Sequence, residues 1–354
     1  MNDNYKPKVV MFLGAGASRP LGIPTTKEFF NDKCYEKFKE KDAFLKIAEE
    51  LKTTPDSVDI EQVLIKLENA KAVVNDSILQ NRKDWEARVS LEFEIRDVIY
   101  KKCSNFDRKK CIDHYTGLFT NIFPPDFISK CSIFTTNYDR SLEYFFRCNI
   151  PPRSQSGFLT RFGSATQLWD GFIRDGEGGL VWSENGYGPT EKTMNDKVWN
   201  IPLYKMHGSI GWLDTKQKVV EVSSEFVYTA EYNPLLIFPG FKGLPDHRIF
   251  GVTRLKLRQE LETADNVAVI GFSFRDDYIA EIFNQAIIHN KNLKITSIMP
   301  DDWPYDSKIN NFPNLKSRIT PIKCCFGKKS GQIYAELLKI DYFQKDIRPT
   351  KIFR

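Results

Sequence analysis

The chain has no pair of cysteines at Cys-x-x-Cys spacing. Its seven cysteines, Cys34, Cys103, Cys111, Cys131, Cys148, Cys324 and Cys325, are odd in number and irregularly placed. That pattern excludes a disulfide framework and a zinc ribbon of ordinary ligand spacing. Histidine is scarce, and His114, His207, His247 and His289 are too scattered to suggest a metal cluster. No apolar run approaches the roughly 18 residues that a membrane helix needs. The apolar stretch after Lys6 and Lys8 is too short for a secretory signal, so a cytoplasmic location is expected. Charge of one sign is also lacking. The 51 basic and 46 acidic residues are interspersed, and a net +5 over 354 residues does not make a nucleic-acid face. Internal repeats and low-complexity tracts are absent.

What remains is an ordinary globular composition, 41% hydrophobic and 27% charged, long enough for one to three domains. The chain is organised around Val9–Leu13, five apolar residues that stop at Gly14-Ala15-Gly16-Ala17-Ser18. An apolar run ending in glycine reads as a buried parallel strand. A turn without bulk lets backbone N–H groups approach a phosphate, with a helix behind it. The dinucleotide fingerprint would want a third glycine where Arg19 stands, and no acidic residue ends a second strand about 20 residues later.

Residues from about 27 to 122 read as helical. Val58, Ile60, Val63, Leu64, Leu67 and Ala70 make one apolar face, and Val89 to Ile99 suggests another helix. Strands are expected at 132–136, 202–206, 235–238, 267–270 and 293–299. Helices are expected after Asp139, over 248–263, from Asp276 or Asp277, and over 331–340. The region 155–199, with Trp169, Trp182, Tyr187 and Trp199, reads as irregular structure with short strands. Strands alternating with helices imply right-handed crossovers and a parallel sheet.

In an open parallel sheet, ligands bind outside the carboxyl ends of the strands. Four such ends carry small or polar groups: Gly14 to Ser18, Thr136 to Asp139, His207-Gly208-Ser209, and Gly271-Phe272-Ser273. Each polar residue also has a structural reading. Asn137 or Ser273 could cap a helix, Asp139 could complement a helix dipole, and His207 could be a hydrogen-bonded core histidine.

Together these motifs, with Gly22-Ile23-Pro24 after the first and Arg275-Asp276-Asp277 after the last, resemble the sirtuin-like domain of bacteria and archaea. They are similar to the NAD-consuming modules of phage-defence systems. The motifs stand in the family's order from about Val9 to Pro300, and Val58–Val63 fits as well. The resemblance implies an α/β fold with a Rossmann-like parallel sheet and helices on both faces, built from residues 1–30, 123–150 and 200–340. A helical layer would be inserted over 31–122, a small aromatic-rich subdomain or lid would span 151–199, and a basic tail 341–354.

The resemblance further implies NAD as substrate and catalysis by Asn137, His207 and Asp139. Asn137 would orient water or a ribose hydroxyl, His207 accept a proton, and Asp139 fix the ribose or favour the developing cation. Gly14, Ala15, Gly16, Ala17 and Ser18 would hold the diphosphate, with Arg19 an extra charge. Ile23, Pro24, Thr136, Gly271, Phe272 and Ser273 complete the expected binding residues, Gly271 and Ser273 near the adenosine. Deacylating sirtuins carry a zinc ribbon beside the acyl-peptide cleft. This chain has none, so no zinc is expected, and NAD hydrolysis is favoured over deacylation, ADP-ribosyl transfer or a quiet NAD-sensing role. The partners implied are a second copy of the chain, a HerA-type ATPase or a prokaryotic Argonaute.

Overall fold

A computed structural model describes residues 7–26, 28–29, 33–72, 82–122, 130–148, 165–188, 198–215, 218–222, 234–238, 247–300 and 307–324. The helix expected over 331–340 and the basic tail lie outside the described residues.

The first strand, β1 (Lys8–Leu13), is followed by a single helical turn, α1 (Ala15–Ser18), and a 3-10 turn closed by Gly22 in the left-handed region, φ 90°. Five helices come next: α2 (Lys33–Lys39), α3 (Asp42–Glu50), α4 (Ile60–Ala72), α5 (Arg82–Ser104) and α6 (Arg108–Ile122). After β2 (Lys130–Thr135) come α7 (Ser141–Cys148), β3 (Ala165–Trp169), β4 (Phe172–Arg174), β5 (Leu180–Trp182) and β6 (Val198–Lys205). Then come β7 (Gly208–Asp214), β8 (Val219–Glu221), β9 (Pro234–Leu236), α8 (Arg248–Thr263) and β10 (Asn266–Ile270). The described chain ends with α9 (Asp277–His289), β11 (Lys294–Met299), α10 (Pro313–Arg318) and β12 (Ile319–Lys323).

Seven strands form one parallel sheet in the order β12-β11-β10-β1-β2-β6-β3. β1 and β10 are apolar and buried from Val9 to Leu13 and from Val267 to Ile270, because both faces of the sheet are covered there. Val9, Met11 and Leu13 pack with Tyr115, Leu118 and Phe119 of α6 and Phe145 of α7. Val10 and Phe12 point the other way, toward Leu257 of α8 and Ile279 and Phe283 of α9. The helical layer makes a further core in which Phe38, Phe44, Ile47, Val63, Leu64, Leu91 and Ile95 pack with Ile210 and Leu236.

Strand register sets where the polar turns meet. Leu13 lies opposite both Thr135 and Ile270, and Thr135 lies opposite Lys205. Four adjacent strands, β10, β1, β2 and β6, therefore end at one level.

Within the region 151–199, the described strands are shared between two sheets. β3 joins the large sheet beside β6, where Trp169 Nε1 donates to Asn200 Oδ1 at 2.7 Å. The second sheet is five-stranded and antiparallel, in the order β4-β5-β8-β7-β9, so it draws on residues 172–182 and 208–236. The strand expected at 235–238 belongs here rather than to the parallel sheet. The chain crosses between sheets at Met206-His207, where Gly208 has φ 83°. A Cβ on Gly208 would meet the Leu235 carbonyl oxygen at 1.9 Å, so only glycine makes this crossing.

Candidate functional site

The turns after β1 and β10 interlock. Gly14 N–H donates to the Ile270 carbonyl, Gly16 N–H to the Gly271 carbonyl, and Ala17 N–H to the Gly14 carbonyl, all at 2.9 Å. A Cβ on Gly16 would come within 2.8 Å of Gly271 Cα. On Gly271, whose φ is 64°, it would come within 2.3 Å of the Ala17 nitrogen. The absence of bulk at these positions is thus filled by backbone against backbone. Three of the N–H groups expected to receive a diphosphate already have carbonyl partners.

Ser18 stands at the end of this turn, 1% exposed. Its Oγ donates to Asp139 Oδ2 at 2.7 Å and accepts from Asn137 Nδ2 at 2.9 Å. Asn137 Nδ2 also donates to the Gly14 carbonyl at 2.9 Å. A carbonyl oxygen can only accept, so the amino end of the Asn137 amide must face Gly14, and Oδ1 must face away. Asn137 Oδ1 is buried and has no hydrogen-bond partner. Asp139 is differently placed. Oδ1 accepts from the N–H and the hydroxyl of Ser141 at the start of α7, so both carboxylate oxygens are engaged. Asn137 is therefore not a helix cap, and Asp139 holds Ser18 and the helix start at once. Buried Lys205 fixes the turn from behind: its Nζ donates to the Asp139 carbonyl and, at 3.4 Å, to the Asn137 carbonyl.

His207, 4% exposed, places Nε2 2.9 Å from Asp276 Oδ2. The other oxygen of Asp276 caps α9 by accepting the N–H groups of Tyr278 and Ile279 at 2.9 and 3.0 Å. Burial pushes the Asp276 carboxyl up, but the bonds and charge of His207 and the two N–H groups outweigh it and hold the carboxyl below its ordinary value. The ionised carboxylate can only accept, so Nε2 carries the proton, and Nδ1 of a neutral His207 is left as acceptor. The residue before this loop's acidic pair is also held firmly: Arg275 pairs with Asp59 at 2.6 Å, beside α4 of the helical layer. Phe274 is buried with φ 57°, an uncommon conformation for a bulky residue and a marker of strain next to the site.

These groups surround one cavity of about 100 Å³. Of the residues expected from the sequence, Ala15, Ser18, Ile23, Pro24, Thr136, Asn137, Asp139, His207, Gly271, Phe272 and Ser273 line it. Gly14, Gly16 and Ala17 support it from behind. Arg19 is half exposed and pairs with Glu28 at 2.7 Å, outside the lining. Ser273 lines the cavity and leaves the capping of α9 to Asp276. Lining residues missed in the sequence include Tyr138, Glu61, Cys103, Arg275 and Asp276. In the sequence Asp276 reads as a helix opener and as part of the motif that follows Ser273; its place just past a strand-end turn is the available signal.

A parallel Rossmann-like sheet with a polar cleft across the carboxyl ends of four adjacent strands defines an α/β protein of the nucleotide-binding architecture. The sequence model of the SIR2-like domain matches residues 131–311, more than half of the 354 residues, and the chain belongs to that family. Among solved structures it is similar to a Sir2 homologue in complex with NAD, at 13% identity over 94% of this chain and 90% of that one, with a TM-score of 0.43. It is similar also to a mutant Sir2 homologue in complex with ADP-ribose, at 14% identity over 96% and 95% of the two chains, with a TM-score of 0.43. No curated protein matches the sequence.

Proposed function

We propose that the cleft binds NAD and hydrolyses its nicotinamide–ribose bond, releasing nicotinamide and ADP-ribose. The observation that carries this reading is the orphaned acceptor Asn137 Oδ1, which shares one cavity with the His207–Asp276 pair. A buried carboxamide oxygen without a partner costs on the order of 1–3 kcal/mol unless a ligand supplies a donor. A ribose hydroxyl or a water is such a donor.

The C1′–N bond breaks with its electron pair going to the pyridinium nitrogen, so nicotinamide leaves neutral and needs no acid. The ribose passes through an oxocarbenium-like state, and the water oxygen forms the new bond to C1′. Asn137, held by Gly14 and Ser18, orients the water or ribose. His207 Nδ1 takes the proton that the reaction releases, and Asp276 steadies the resulting imidazolium. Ser18 and Asp139 keep the Asn137 amide from turning over. The biological purpose in this reading is depletion of NAD in anti-phage defence, triggered by assembly with a second copy or with a HerA-type ATPase or prokaryotic Argonaute.

Purified protein incubated with NAD, alone and co-expressed with its genomic neighbours, is the test. Equimolar nicotinamide and ADP-ribose on chromatography are expected. An unchanged NAD pool in every assembly state overturns the reading, and acyl-ADP-ribose formed only with an acylated peptide replaces it with deacylation.

A further inference from the structure

A second cavity, of about 360 Å³, lies between α5, the start of α6, α7 and β7, and it shares no lining residue with the first. Its size is within the range of sites for small organic ligands. Glu143, 3% exposed, lines it. One carboxylate oxygen, Oε1, pairs with Lys205 Nζ at 3.1 Å, while Oε2 is buried and has no hydrogen-bond partner. An ionised oxygen in that position requires an N–H or O–H donor. The walls are aromatic, from Tyr100, Phe106 and Tyr144. Cations stand at the rim. The Arg108 guanidinium lies over the Tyr144 ring at 5.4 Å, and the half-exposed Arg147 bonds Glu221 at 2.7 Å. Arg108 has no carboxylate partner among the described residues.

A ligand that answers all three features is flat, carries N–H donors on one edge, and bears an anionic group at the far end. We propose that this cavity is a second site that takes a purine nucleotide, its base donating to Glu143 Oε2 against the aromatic walls and its phosphate on Arg108 and Arg147. Guanine fits best, because N1–H and the 2-amino group present two donors on one edge.

The site is wired to the first. Lys205 bonds Glu143 on one side and the carbonyls of Asp139 and Asn137 on the other. A base that binds Glu143 competes with Lys205 for that carboxylate and so alters the hold on the turn bearing Asn137. This effect on NAD cleavage rests on the function proposed above; the binding itself does not.

Isothermal titration calorimetry of the full chain with GMP tests the proposal, with AMP, inorganic phosphate and ADP-ribose as separate arms. One GMP per chain is expected, bound more tightly than phosphate. Glu143→Gln and Arg108→Ala should each weaken GMP about 10- to 100-fold, the worth of a hydrogen bond to a charged group. ADP-ribose binding should be unchanged in Arg108→Ala, which does not touch Lys205. If Glu143→Gln fails to fold because Lys205 loses its counter-charge, Arg108→Glu at an exposed position carries the test alone. Absence of GMP binding, equal affinity for phosphate and GMP, or GMP that ADP-ribose displaces and Arg108→Glu leaves intact, each overturns the proposal. GMP bound without NAD cleavage supports this site and counts against the hydrolase; NAD cleavage without GMP binding does the reverse.

Discussion

His207 and Asp276 are 69 positions apart in the sequence, yet Nε2 of one lies 2.9 Å from a carboxylate oxygen of the other. The same carboxylate begins α9, so the orientation of the histidine is tied to the start of a helix. Asp276→Asn keeps the cap, since asparagine caps as well as aspartate. It removes the charge that steadies a protonated His207. Initial-rate measurements should show lower turnover with NAD binding nearly intact, and a changed pH–rate profile. Asp276→Ala loses the cap too and should lower thermal stability by about 1 kcal/mol more.

Acid titration gives a separate check on the same carboxylate. Its folded-state value is held below the ordinary 3.8. A lowered value adds stability that is fully present above the unfolded value and fades as pH falls through the folded one. The difference in thermal midpoint between wild type and Asp276→Asn should therefore be constant near neutrality and shrink below about pH 4. A difference that grows on acidification contradicts this arrangement.

His207→Ala and Asn137→Ala should each lower NAD hydrolysis by about 10²–10⁴-fold without unfolding the protein. The double variant should lose less than the product of the two, because in the proposed mechanism both act on one reacting centre. Calorimetry with ADP-ribose separates lost chemistry from lost binding.

The glycine interlock predicts unequal costs for the same substitution. Gly22→Ala, with φ 90° and open space around its Cβ, should cost about 1–2 kcal/mol. Gly271→Ala adds a backbone clash at 2.3 Å to a similar strain. It should yield a much lower thermal midpoint or no soluble protein, and Gly16→Ala should behave in the same way.

Arg275 couples the helical layer to the cleft through Asp59. A double-mutant cycle with Arg275→Ala and Asp59→Ala should give a coupling near 1 kcal/mol, discounted for partial exposure. Hydrogen exchange should speed up in α4 for either variant.

The parallel sheet was legible because β1 and β10 carry unbroken apolar runs, Val9–Leu13 and Val267–Ile270, that stop at glycine. Four strand ends could be placed on one edge before any geometry was known. The antiparallel sheet was not legible, since β4, β5, β8 and β9 are three residues each, too short for a period to register. The purpose of Gly14 and Gly16 was hidden for another reason. The sequence shows a turn without bulk, but what occupies the space is Gly271, more than 250 positions away. Asp276 and Asp277 are likewise equivalent as helix openers in sequence; the capping bonds to Tyr278 and Ile279 and the approach of His207 distinguish them.

The central place of β1 also sets a schedule. It precedes both of its partners: Leu13 hydrogen-bonds Thr135, 122 residues later, and Lys8 bonds Asp265, 257 residues later. At a synthesis rate of about 5–20 residues per second, its second edge stays uncovered for roughly 10–50 s. Throughout that interval a strongly apolar strand is an open template for other chains, and the protein's yield depends on how well that one edge is sheltered.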